Sequence, residues 1–383
     1  MKRIQKKDIV IFLILFIISS IIYWNYISMH YATDTYNIMN IGYKEYAIQN
    51  SFNDGRFFMF LIGMIAQLVN LPIEGYVIGT VVIAIIISCI AVIILKNMIM
   101  KLKPLKGKLY EIIPILISFV TIFNFMYVEN LYFVEATVMA VSILLYLLAV
   151  KRQIETEKYF DWKSLLLVIL ATFCYQGTIG FYLFILLAFL LIKHKNDYKT
   201  ILKKLGVGIL FAGASFLLNL IQIKIANYVS GIEQQRLNGV ENLLGTAWMV
   251  ARNFHSMIYE IIFQESCWLF PKNYFLIFVL CILLIGIIYN LKEKEENTTG
   301  DFLLLILFLL GITFAMCIVS ITSYDTGRIH YPVGTMIGIL FTYLYCNTNV
   351  FEKESKMRII TVFLLFVYIL AVIRKHNSII KYA

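Results

Sequence analysis

The residues best suited to chemistry in this sequence are an acid and an arginine that flank its first long polar segment. Asp34 follows the first apolar stretch, and Arg56 immediately precedes the next one. A carboxylate at a membrane surface can take a proton from an attacking hydroxyl, and a planar guanidinium can hold a departing phosphate. Structural roles stay open for both, because aspartate caps helices and arginine extends to lipid headgroups. The pair predicts lipid-phosphate chemistry, with Asp34 as candidate base and Arg56 as candidate phosphate clamp.

Five later polar residues lie at or near the same predicted membrane face. We place Glu129 in a hairpin turn and Glu135 about one turn into the following helix, where a carboxylate must pair or face a polar cavity. Glu135 therefore either forms a structural ion pair with an arginine of another helix or contacts the substrate. Tyr175 and Gln176 offer an aromatic face and an amide that suit a sugar, although such an amide can also satisfy its own turn. Arg328 is a second candidate phosphate clamp or, alternatively, an interfacial anchor.

The composition indicates the environment in which these residues act. Of the 383 residues, 61% are hydrophobic and 15% are charged, whereas soluble domains average about 45–50% and about 25%. The apolar residues form long runs separated by lysine clusters, which is typical of a polytopic membrane protein. The six cysteines are scattered and form no CxxC pair, so they predict small buried side chains and not a disulfide scaffold. A coiled coil, a disordered chain and a DNA-binding module are excluded as well.

The first part of the chain predicts one retained membrane helix and a long outer loop. A basic N-terminus leads into an apolar stretch over 8–28 with no cleavage site after it, which places the N-terminus in the cytoplasm. Residues 29–75 then form the first outer loop. Within it, the apolar run 57–69 has 13 residues, which reach about 20 Å as a helix and fall short of the roughly 30 Å hydrocarbon core. We expect this run to be a short helix in or on the outer leaflet.

The rest of the chain continues the alternation of spans and loops, which predicts an all-α polytopic membrane protein with about 11 transmembrane helices in a single domain, 1–383. A second long outer loop covers 224–272. Inside segments hold 23 of the 33 lysines and arginines, the bias that the positive-inside rule predicts. The formal charge of +10 is therefore a topology signal, and we expect no nucleic-acid partner. The predicted spans lie near 8–28, 76–95, 112–127, 131–150, 164–176, 181–192, 205–223, 273–291, 302–321, 331–347 and 359–373.

Several familiar active-site motifs are missing from the sequence. It contains no Walker A loop, no GxGxxG after a strand, no HExxH and no acidic metal-ligand triplet. Nucleotide hydrolysis and nucleotide-sugar chemistry in a soluble domain are therefore unsupported. We expect no cofactor and leave a divalent metal open. A transporter or lipid flippase would show paired broken helices and charges deep in several spans, whereas the candidate groups here gather at one face.

Short stretches at four places resemble the GtrII-like glucosyltransferase family, whose members are membrane glycosyltransferases of the GT-C type. The resemblance extends from about residue 30 to about residue 332. It departs from the family's usual pattern at Glu135, where aspartate is common, and at Thr35, where a second acid is frequent. The first match is an acid in the first loop, Asp34, with the Gly-Arg pair Gly55–Arg56. The second is an asparagine-containing hairpin with an acid on its return helix, Asn124–Glu135. The others are the Tyr-Gln hairpin tip Tyr175–Gln176 and a late Gly-Arg pair, Gly327–Arg328.

The resemblance implies transfer of a sugar, with glucose expected, from a polyprenyl-phosphate donor to a cell-surface glycan acceptor. The site would lie on the outer face of a bacterial plasma membrane, and the lipid tail of the donor would enter between helices. In a single displacement, Asp34 would act as general base while Arg56 and Arg328 stabilise the departing phosphate. The remaining candidates would contact the substrate: Glu129, Glu135, Tyr175 and Gln176.

A second resemblance keeps one alternative open. The stretch Thr33–Tyr36 is similar to the Gly-Thr-Asp-Thr of the EpsG/Wzy-like polysaccharide polymerases. The later hairpins fit the transferase better, so the polymerase is the runner-up and a lipid-linked sugar flippase or transporter comes after it.

Overall fold

A computed structural model describes residues 6–104, 108–232, 243–259, 281–289, 298–322, 327–351 and 356–378, and within these ranges the chain forms helices and no strands. Fifteen helices are described, which we number α1 to α15 in chain order. They are Lys6–Ile22, Thr33–Ala47, Phe57–Leu68, Ile73–Leu102, Lys108–Ile122, Tyr127–Tyr132, Ala136–Glu155, Trp162–Cys174, Ile179–His194, Tyr198–Ser230, Leu243–Tyr259, 281–289, Thr298–Thr322, Tyr331–Asn347 and Lys356–Ser378.

Six helical stretches of the described chain are long and apolar enough to cross a membrane. This confirms the all-α membrane class, while the count of about 11 spans stays a prediction. Four shorter apolar helices are also present and account for several of the other predicted spans. The six long stretches are Ile73–Leu102, Ala136–Glu155, Gln176–His194, Tyr198–Ser230, Gly300–Ile318 and Arg328–Asn347.

Helix α14 lies at the centre of the packing, and nearly all of its residues are buried. Two of its glycines, one turn apart, let helix α5 and the chain just beyond it come very close. A Cβ at Gly334 would lie 2.2 Å from Asn124 Oδ1, and a Cβ at Gly338 would lie 2.1 Å from Thr121 Oγ1. Small residues at this spacing are a common way for membrane helices to approach closely. The arrangement fixes the chain on either side of α14, including the turn before it that carries Arg328.

The first outer segment is more ordered than the sequence predicts. We expected a polar loop over 29–56, but helix α2 begins at Thr33 and continues into a single π-helical turn, Ile48–Phe52. Asp34 therefore lies in the first turn of a helix, where a carboxylate is favoured by the helix dipole. Helix α3 has 12 residues, which reach only about 18 Å. Its place in the outer leaflet stays a prediction.

The first predicted hairpin turn, Val128–Asn130, is wrong. These residues belong to the short helix α6, and helix α7 begins at Ala136, so Glu135 is the N-cap of α7 and does not lie one turn inside it. A buried asparagine explains the break. The Asn124 side chain accepts a hydrogen bond from the Met126 N–H at 2.9 Å and donates to the Thr121 carbonyl at 3.2 Å. This local bonding replaces helical bonds and turns the chain.

The second hairpin turn lies close to the predicted Tyr-Gln tip, because the chain between α8 and α9 forms a single short 3₁₀ turn, Gln176–Thr178. Helix α10 runs to Ser230 and so extends into the predicted outer loop 224–272. Helix α11 lies within that loop, and residues 233–242 and 260–280 lie outside the described ranges. Of the predicted span 273–291, residues 281–289 are described and are helical.

Candidate active site

Three helix beginnings meet at a buried carboxylate. Glu135 is the N-cap of α7, Arg56 is the N-cap of α3, and Arg328 lies in the 3₁₀ turn Gly327–His330 that leads into α14. Nη1 of Arg56 donates to Oε1 of Glu135, and Nη1 of Arg328 donates to Oε2. The side chains are 1% exposed for Glu135, 10% for Arg56 and 9% for Arg328. The structure thus brings three of the predicted residues into one ion-paired group.

This contact supports one of the two roles left open for Glu135. Both of its carboxylate oxygens are engaged by an arginine, one each, so the structure shows the ion-pair role. The expectation that a buried Glu135 has a basic neighbour is confirmed. A direct contact with substrate stays a prediction.

Arg56 is held in place by the glycine before it and by a neighbouring ring. Gly55 has φ +79, and a Cβ there would lie 2.7 Å from the amide oxygen of Asn219. A side chain at this position would meet both a strained backbone and a clash, which explains the glycine of the Gly-Arg pair. The Arg56 Cζ then lies 5.3 Å from the ring centroid of Tyr175, and its Nη2 lies 3.9 Å from Oδ2 of Asp54.

Arg328 is held by a second aromatic ring. Its Cζ lies 3.6 Å from the ring centroid of Phe133, in the break between α6 and α7. A guanidinium stacked on an aromatic face gains a cation–π attraction that strengthens when water is excluded. The break between α6 and α7 thus places the Phe133 ring beneath Arg328 and the Glu135 carboxylate beside it.

The ion-paired group retains unused hydrogen-bond donors. Two guanidiniums share the Glu135 carboxylate, and the nearby Asp54 carboxylate offsets the remaining positive charge. The Nε–H of Arg56 and the Nε–H of Arg328 are buried and have no hydrogen-bond partner within the described part of the chain. Buried donors without partners are uncommon and call for an explanation. Anionic phosphate oxygens are acceptors with the charge and geometry that guanidinium donors favour.

Asp34 lies near the ion-paired group but is not part of it. It is half-buried and forms no ion pair with any described residue. Burial and the nearby Glu135 carboxylate raise the pKa of Asp34 to about 6, while Arg328, Arg56 and the Tyr46 hydroxyl oppose the rise. A carboxylate with a pKa near neutrality is a better general base than an ordinary aspartate. The raised pKa suits a general base, and that role of Asp34 stays a prediction.

The tip of the second hairpin, Tyr175–Gln176, contacts Arg56 and the backbone just before it. Gln176 Nε2 donates to the Asp54 carbonyl at 2.8 Å, and Tyr175 lies against Arg56. Ser142, on α7, holds this tip through a 3.2 Å hydrogen bond to the Tyr175 carbonyl and a 2.6 Å contact with Thr178 Oγ1. The predicted Tyr-Gln pair therefore lies beside Arg56, and its contact with substrate stays a prediction.

Glu129 is placed differently from Glu135. It lies half-buried on α6 and interacts electrostatically with Tyr26, whereas Glu135 bonds both arginines. A substrate contact for Glu129 stays a prediction. The described residues contain no group of three His, Cys, Asp or Glu side chains that could hold a metal ion.

Sequence reasoning missed three residues at the site. Asp54, an acid of the first outer loop, is buried and close to Arg56. Asn219 and Gln222, on α10, bond to the backbone beside Arg56. A signal was available, because these two amides interrupt a long apolar helix at a spacing of three residues and so share one face.

The comparison with protein families gives one clear match. The family described as glucosyl transferase GtrII matches residues 23–343, which includes every candidate residue of the site. Comparisons with curated proteins and with solved structures gave no match. Because the family match covers most of the chain, we conclude that this protein belongs to the GtrII glucosyltransferase family.

Proposed function

We propose that this protein transfers glucose from a polyprenyl-phosphate carrier to a cell-surface glycan on the outer face of a bacterial plasma membrane. Family membership supports a glucosyltransferase. The main support for the proposal is that Arg56 and Arg328 both bond Glu135. The Asp34 carboxylate is near enough to interact electrostatically with all three side chains. A base beside two partly satisfied guanidiniums suits attack by a hydroxyl with departure of a phosphate.

The proposed reaction is a single displacement at the anomeric carbon of the donor sugar. Asp34 takes the proton of the acceptor hydroxyl as its oxygen forms a bond to that carbon. The bond between the carbon and the phosphate oxygen breaks, and its electron pair stays on the phosphate. Negative charge thereby grows on the leaving group, and Arg56 and Arg328 stabilise it through donors that Glu135 leaves free.

The topology that we propose follows from charge and length. The basic segments between spans lie in the cytoplasm, and the N-terminus lies there with them. The site is then near the outer surface, where the carrier phosphate sits at the interface and its lipid tail passes between helices. The short α3, at the start of which Arg56 lies, fits a helix that enters the outer leaflet without crossing.

Transfer by purified protein tests the proposal. The protein in lipid nanodiscs is mixed with polyprenyl-phosphate glucose labelled in the sugar and with membrane glycans as acceptor. Movement of single labelled sugars to the glycan supports the transferase. Progressive lengthening of the glycan would select the polymerase, and movement of the labelled lipid across a vesicle bilayer without transfer would select a flippase.

A further inference from the structure

The backbone just before Arg56 is held by three side-chain amides, two from α10 and one from the turn Gln176–Thr178. Gln222 Nε2 donates to the Phe52 carbonyl at 2.8 Å, and Asn219 Nδ2 donates to the Gly55 carbonyl at 2.6 Å. Gln176 donates to the carbonyl between them, that of Asp54. Three carbonyls within four consecutive residues are thus each bound by an amide. Such irregular backbone needs external partners, because a buried carbonyl without one is costly.

Two of these amides come from one face of α10. Asn219 is 1% exposed, and its amide nitrogen would lie 2.8 Å from a Cβ at Gly55, so the helix touches the turn directly. Gln222 lies three residues later, almost one helical turn, on the same face. Ser230, further along α10, donates to Asn53 Oδ1 at 3.0 Å. Helix α10 therefore contacts the turn at successive points along its length.

We propose that Asn219 and Gln222 are positioning residues, which fix the turn before Arg56 so that its guanidinium reaches Glu135. The proposal rests on the proposed function, because Arg56 is the group through which the two amides would act on transfer. The alternative is a purely structural role, in which the amides stabilise the fold without affecting donor use. The two roles differ in what a neutral or isosteric substitution does to donor kinetics.

The first test replaces each amide with side chains of similar shape that cannot donate. Asn219→Leu and Gln222→Leu are neutral, and Asn219→Asp and Gln222→Glu are isosteric. We expect kcat/KM for the polyprenyl-phosphate glucose donor to fall roughly 10- to 100-fold, because small misplacements of a catalytic group have effects of this size. The KM for the glycan acceptor should stay unchanged. Equal loss for donor and acceptor, in proportion to lost folded protein, would overturn the proposal.

A matched control lies on the same helix. Asn227 is half-buried, and its amide oxygen has no partner in the described part of the chain. Asn227→Asp therefore makes the same chemical change two turns away without removing a bond to the turn. We expect its donor kcat/KM to stay within about twofold of wild type. A drop as large as that of Asn219→Asp would show that any acid on this helix disturbs the site.

A double-mutant cycle tests whether Asn219 acts through Arg56. If it does, Asn219→Leu should lower kcat/KM by less than about threefold in an Arg56→Lys background, because the group it positions is already impaired. Full additivity would overturn the proposal. Gln222→Leu in the same background gives a second, less buried site if Asn219→Leu folds poorly.

Binding of undecaprenyl phosphate gives a readout that needs no transfer. We expect Asn219→Leu to weaken its affinity for the nanodisc-embedded protein by about 10-fold, while the melting temperature falls by no more than about 4 °C. Unchanged affinity in this variant would overturn the positioning proposal. Absence of transfer by the wild type, with binding that depends on Asn219, would instead refute only the proposed function.

Discussion

Replacing Glu135 with glutamine tests the buried ion-paired group most sharply. The change keeps the shape of the side chain and removes the one charge that both arginines contact. Arg328 would then lose the carboxylate that it bonds, and Arg56 would keep only the longer 3.9 Å contact with Asp54. Removing one partner of a buried ion pair costs about 3–5 kcal/mol. For a protein of this size that loss corresponds to a fall in melting temperature of roughly 4–6 °C.

The assay is thermal unfolding of purified protein in one detergent, followed by tryptophan fluorescence. Glu45→Gln is the matched control, because Glu45 is exposed on α2 and loses the same charge. Glu135→Asp keeps the charge but retracts it by one methylene, so we expect an intermediate loss. A folded Glu135→Gln variant that melts within about 2 °C of wild type would refute the idea that these ion pairs hold the site together.

Three further predictions concern protonation, phosphate binding and topology. With a pKa of about 6, Asp34 is ionised above that pH, so kcat/KM should rise about tenfold from pH 5 to pH 7, and a flat profile would contradict its role as base. Arg56→Lys keeps the charge but loses the bidentate fork, so KM for the donor should rise with little change in folding; an unchanged donor KM would count against the clamp. Residues 57–69 should not cross the bilayer, so a single cysteine at Asn70 should react with an impermeant reagent from outside, and labelling only from the cytoplasm would overturn the topology.

The ion-paired group shows what the sequence can and cannot predict. Residue types identified Arg56, Glu135 and Arg328 as chemically unusual in an apolar chain, because charges near hydrocarbon need partners. Their mutual contact could not be predicted, since Glu135 is separated from its arginines by 79 and 193 residues. Helical periodicity reports only on neighbours within a turn or two. Which helices pack together is decided by contacts far apart in sequence.

The break before α7 shows a second limit. The hydropathy of residues 112–150 predicts two spans joined by a short turn at Val128–Asn130. It does not reveal that the Asn124 side chain bonds the backbone at Thr121 and Met126, which ends α5 early and leaves room for α6. The position of Glu135 at a helix N-cap follows from that local hydrogen bonding, which composition does not report.

Helix α10 shows a contact that the sequence could have indicated. Asn219 and Gln222 share one face of a long apolar helix, a pattern that indicates a buried polar contact. The contact itself, with the carbonyls of Phe52 and Gly55, depends on the tight turn at Gly55. Such a turn has no hydropathy signature beyond the glycine.

The central claim is that Asp34 is the base of a sugar transfer carried out beside Arg56 and Arg328. The most direct test measures transfer of labelled glucose from polyprenyl-phosphate glucose by Asp34→Asn, with Glu45→Gln as the control acid on the same helix. Asparagine keeps the size and polarity of Asp34 but cannot accept the proton, so transfer should fall roughly 10²–10⁴-fold while melting temperature and undecaprenyl-phosphate binding are retained. Glu45→Gln should transfer at close to the wild-type rate. A well-folded Asp34→Asn variant with near wild-type transfer would contradict the claim and remove Asp34 from the mechanism.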